Sequence, residues 1–146
     1  MEFATTVPPE EVQRACAELG LRDWTQALSP PVTLEEAEIL RARVGAEALE
    51  VSIEAFKRGL EVELEHGSEF SDANVTNGHP VLTGKIVLAH LKESLLYYER
   101  LDVAELEGDL LKAIQSGDGA RTVSVHRKLL TARIHLAEQE LAHLDT

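Results

Sequence analysis

At 146 residues the chain is long enough for one domain with a single core, which at this size buries roughly two-thirds of the surface its unfolded form exposes. Its formal charge of −12, from 14 Lys and Arg against 26 Asp and Glu, argues against a surface built to gather a phosphate backbone, so no nucleic acid is expected as a partner. One cysteine, Cys16, excludes an intrachain disulfide, no run approaches the roughly 18 apolar residues of a membrane span, and Met1-Glu2-Phe3-Ala4 lacks the basic and apolar regions of a signal peptide. A cytoplasmic protein with no membrane partner is expected.

Punctuation divides the chain into helices. Pro8 and Pro9 ahead of Glu10-Glu11 suit a helix start and Gly20 a stop, which predicts a short helix over residues 9–19. After the Ser29-Pro30-Pro31 linker, Thr33 caps a second helix that runs from Leu34 to near Gly45. A shift of 25 residues superimposes Glu10-Glu11 on Glu35-Glu36 and Gly20 on Gly45; shared start and stop chemistry accounts for this without a duplication. Ser52 caps a third helix, expected to end at His66 and to be closed by Gly67. A polar loop over 68–79 follows, in which Asn74 and Thr76 are expected to satisfy backbone groups of a tight turn.

Pro80 opens a fourth helix, and the apolar period through Leu88, Leu91, Leu95, Tyr98, Leu101 and Leu111 predicts that it continues to about Ile114, with Gly108 as its weak point. Ser116-Gly117-Asp118-Gly119 is a turn. In the last helix, near 120–144, Val123, Arg127, Leu130, Ile134, Ala137, Leu141 and Leu144 alternate steps of four and three, the spacing of a coiled-coil seam. The expected fold is therefore an all-α small bundle: short N-terminal helices, a central helix pair joined by a polar loop, and a long heptad-patterned C-terminal helix. It is expected to form one domain over 1–146, made of an N-terminal helix and linker (1–32), a core (33–101) and a helical extension (102–146).

A helical wheel places Glu63 on the apolar face of the third helix beside Phe56, Leu60 and Leu64, with His66 at the edge of that face and Glu61 and Glu65 away from it. An ionised carboxylate there is costly unless it meets a cation, hydrogen-bond donors or a metal. On the fourth helix His90 and Glu93 lie one turn apart. Glu63-x-x-His66 and His90-x-x-Glu93 resemble the way helical bundles hold metals, and such donors suit a divalent ion, Fe, Mn or Zn. The same spacing also fits a structural network in which Glu63 pairs with Lys85, Lys92 or His90. Cys16 has no neighbouring His in sequence, and neither a nucleophile elbow nor a phosphate-binding glycine loop occurs.

The strings Phe56-Lys-Arg-Gly-Leu-Glu-Val-Glu-Leu-Glu-His-Gly67, Asn74-Val-Thr-Asn77, Pro80-Val-Leu-Thr-Gly-Lys-Ile-Val-Leu-Ala-His-Leu91 and Tyr97-Tyr98-Glu-Arg-Leu101 resemble a small bacterial and phage domain family of unknown function. The resemblance covers roughly residues 33–101 and leaves the two ends of the chain unexplained. It draws attention to Glu63, Glu65, His66, Asn74, Thr76, Lys85, His90 and Tyr98. The family's loop carries Asp-Asp just before the proline, where this chain has Gly78-His79.

Two functional expectations follow. One is a metal-binding bundle with ferritin-like ligand geometry built on Glu63, His66, His90 and Glu93. The other is a non-enzymatic oligomerisation or protein-interaction module, with a homo-oligomer or a protein partner held through the C-terminal helix and the Glu/His set serving as a structural network.

Overall fold

A computed structural model describes residues 3–146; Met1 and Glu2, part of the start inspected above for a leader, lie outside the described residues. All regular structure in them is helical: α1 (Pro9–Leu19), α2 (Leu34–Val44), α3 (Ile53–Glu69), α4 (Pro80–Glu93), α5 (Tyr97–Ser116) and α6 (Gly119–Leu144), with single 3-10 turns at Ala46–Ala48 and Ser71–Ala73. None of these helices is long and apolar enough to cross a membrane. The chain divides into two compact units, residues 1–93 and 94–146.

In the first unit, capping chemistry sets most helix ends. Gly20 and Gly45 both close their helices in the left-handed conformation, with φ of 71° and 74°. The starts differ. α1 opens on Pro8 without a side-chain cap, whereas α2 has a full capping box in which Thr33 accepts from the Glu36 amide and Glu36 accepts from the Thr33 amide. Ser52 caps α3 by accepting from the Ala55 amide. The core between these helices holds Val12, Cys16, Val32, Ala37, Leu40, Phe56, Leu60 and Val87, all buried. Gly84 allows α2 and α4 to meet closely: a Cβ there would lie 3.1 Å from the Val44 side chain.

α3 does not stop at Gly67. It continues to Glu69, and Gly67 is an interior residue whose missing side chain makes room for Asn74; a Cβ would sit 2.9 Å from the Asn74 side-chain oxygen. That oxygen accepts from the Asn77 amide at 3.0 Å and so shapes the loop. Asn77 then takes the left-handed conformation (φ 49°) and donates its side-chain amide to the Val7 carbonyl at 2.9 Å. The Val7 amide and the Thr6 hydroxyl donate in turn to the Val75 and Asn74 carbonyls, which ties the N-terminal segment to the loop.

The second unit is a hairpin of α5 and α6 turning at Gly117, whose φ is 71°. Ion pairs Arg100–Glu140 and Glu107–Arg133 bridge the two helices in antiparallel register. The predicted helix from Pro80 to Ile114 is two helices. Ser94 interrupts it: its hydroxyl accepts from the Leu96 amide at 3.2 Å and its carbonyl from the Tyr97 amide at 3.1 Å, a local turn that competes with helical bonding. Gly108, the residue expected to be weak, stays helical.

The face that α6 buries is also not the seam predicted for it. Leu129 is buried, with Thr122, Val125, Ala132 and Leu136 half-buried, while Val123, Leu130, Ile134, Leu141 and Leu144 remain 47–81% exposed. α6 thus carries two stripes at heptad spacing, one used within the hairpin and one facing outward.

Candidate functional site

Of the four residues proposed from spacing, the fold brings Glu63 and His90 together. Their Oε1 and Nδ1 atoms lie 2.9 Å apart between α3 and α4, with side chains 13% and 28% exposed. A carboxylate only accepts, so this bond puts a proton on Nδ1 of His90. The cost of placing Glu63 on an apolar face is thereby offset by a charge-assisted hydrogen bond to the neighbouring helix. His66 is half-buried one turn further along α3, and Glu93 is exposed at the end of α4. Among the described residues no group of three or more His, Cys, Asp or Glu side chains is arranged to hold a metal ion.

Other motif residues have separate places. Lys85 is exposed and Tyr98 is buried, its ring meeting Tyr97 edge-to-face at 5.2 Å. Glu65 and Asn74 border an open cleft of about 1000 Å³ in the first unit, whose walls include Trp24 and Leu64. His79 caps α4. Its Nδ1 accepts from the Leu82 amide at 3.3 Å, the N-cap bond of α4, and its carbonyl accepts from the Thr83 hydroxyl at 2.8 Å.

A buried carboxylate that spacing did not single out is held by several donors. Glu36, 5% exposed, receives the Arg22 guanidinium through Nε at 2.9 Å and Nη2 at 2.7 Å. It also accepts from the Trp24 indole at 3.3 Å and the Thr33 amide at 3.0 Å. Burial pushes its pKa up, but the bonds from Arg22, Thr33 and Trp24 outweigh this and hold it at about 2. Arg22 also donates to the Pro30 carbonyl at 2.9 Å, so the cluster fastens the segment between α1 and α2 onto α2. The available signal was the pattern Thr33-x-x-Glu36, a capping box that requires its Glu to turn back toward the chain before it, where Arg22 and Trp24 stand.

These arrangements define an all-helical protein in which polar groups bind neighbouring elements together. Residues 12–107 match DUF5661, a family described as a protein of unknown function, and the chain belongs to that family. The match takes in most of α1, which the resemblance above left unexplained, and ends within α5, so that α6 lies beyond it. No curated protein and no solved structure matches the chain.

Proposed function

We propose that this protein is a non-enzymatic interaction module whose contact surface is the outward stripe of α6. The observation that carries this reading is the exposure of Val123, Leu130, Ile134, Leu141 and Leu144 along one helix, at a spacing that fits another helix. Isolated apolar residues on a surface need no explanation, but several aligned along one helix face mark a contact surface. The Glu63–His90 pair serves in this reading as a fixed link between α3 and α4. The charged clusters described above are likewise occupied with intramolecular bonds.

The test is to replace Ile134 and Leu141 by Lys. Both side chains are exposed, so helicity by circular dichroism is expected to stay at the level of the unmodified protein, while self-association or partner binding is lost. A variant that keeps both its mass by light scattering and its binding partners would overturn the reading.

A further inference from the structure

Charge is unevenly distributed along α6. Residues 119–133 carry four basic side chains, Arg121, Arg127, Lys128 and Arg133, and no Asp or Glu; residues 134–146 carry Glu138, Glu140 and Asp145 and no Lys or Arg. The helix is thus basic in its first half and acidic in its second, and the stripe runs through both. Its positions extend from Val123 to Leu144, about three heptads, which is long enough to sustain helix pairing.

From this we infer that α6 pairs with α6 of a second copy of the chain, antiparallel, about a two-fold axis near Ile134; the inference rests on the interaction reading above. In that register Val123 lies opposite Leu144, Leu130 opposite Ala137, and Ile134 opposite its own copy. The charges complement one another in the same register. The basic first half of one copy lies along the acidic second half of the other, with Arg121 near Asp145; Arg133, which comes closest to its own copy at the axis, is paired with Glu107 of its own chain at 3.9 Å. Arg127, the one charged residue on the stripe, lays its aliphatic stem along the seam and its guanidinium at the edge. Glu140 already pairs with Arg100 at 2.9 Å, and at 42% side-chain exposure it keeps acceptor capacity toward a partner. A parallel pair would set Arg127 against Arg127 and Glu140 against Glu140, which is repulsive at both ends. Antiparallel pairing also sets the two helix dipoles in opposition, which favours it.

Cysteine pairing in a Cys16→Ala background tests the geometry; Cys16 itself is buried. Chains carrying Val123→Cys mixed with chains carrying Leu144→Cys should form the mixed disulfide, Ile134→Cys chains should pair with themselves, and Val123→Cys alone should stay reduced. Light scattering should give twice the mass of one chain, and exchanging Ile134 and Leu141 for Lys should weaken the dimer roughly a hundredfold or more. Self-pairing of Val123→Cys chains would overturn the antiparallel register. A monomer whose stripe is still required to bind a different protein would overturn the second-copy assignment while leaving the interaction reading intact. If the Lys exchanges change neither mass nor any binding, the interaction reading itself fails.

Discussion

Glu36 and Glu63 show how two buried carboxylates are satisfied in different ways. Glu63 was visible from the periodicity of α3, because a charge among Phe56, Leu60 and Leu64 stands out on a wheel. Its partner was one of several cations within reach, and only the packing of α3 on α4 selects His90. Glu36 was hidden because an acid in the first turn of a helix already has an adequate explanation in the dipole. Its consequence for stability depends on pH. With a folded-state pKa of about 2 against an ordinary value of 4.5, the cluster contributes its full stabilisation above about pH 4.5, and this is lost as pH falls toward 2. Glu36→Gln should therefore cost roughly 3 kcal/mol at neutral pH and flatten the acid side of the stability profile. Urea titrations followed by the fluorescence of Trp24, the only tryptophan, measure both. An unchanged slope between pH 4.5 and 2 would show that other carboxylates govern acid unfolding.

Among the helices, the boundaries written in local chemistry were readable and those set by tertiary contact were not. Pro9, Gly20, Thr33, Ser52 and Gly117 act on their own backbone neighbours, so a single sequence suffices to find them. Gly67 resembles Gly20 in sequence, yet it lies inside α3, where its missing side chain makes room for Asn74, and Leu95 and Tyr98 keep the apolar period going across a turn made by Ser94. The seam of α6 was likewise visible as a heptad pattern, but the neighbouring stripe through Leu129 is the one the hairpin buries. The two kinds of glycine make opposite predictions. Gly108, where a methyl group on the Cα would meet nothing within 4 Å, should become Ala with a gain of about 0.5–1 kcal/mol from helix propensity. Gly67→Ala gains the same propensity, but its Cβ meets an Asn74 side chain held by the Asn77 amide, and the displacement costs about 1–3 kcal/mol. Thermal melts should move in opposite directions for the two variants; a stabilised Gly67→Ala would mean that Asn74 moves aside without cost.

For the molecule as a whole, the family match and the proposed contact surface lie in different parts of the chain. The match stops at residue 107, and the outward stripe belongs to α6, which begins at Gly119. The stripe is therefore a property argued for this chain and not one carried over from the family. A dimer formed through it ties stability to concentration, because only folded chains present the stripe. Each tenfold rise in protein concentration above the dissociation constant adds about 1.4 kcal/mol per dimer, or about half of that per chain. At this chain length that corresponds to a rise of roughly 1–3 °C in the midpoint of helix loss. The unmodified protein should show this rise in circular dichroism melts over two decades of concentration, and the Ile134→Lys, Leu141→Lys variant should melt at one temperature throughout. Equal concentration dependence in both would place the association outside α6, since the two exchanges leave the rest of the acidic surface as it was.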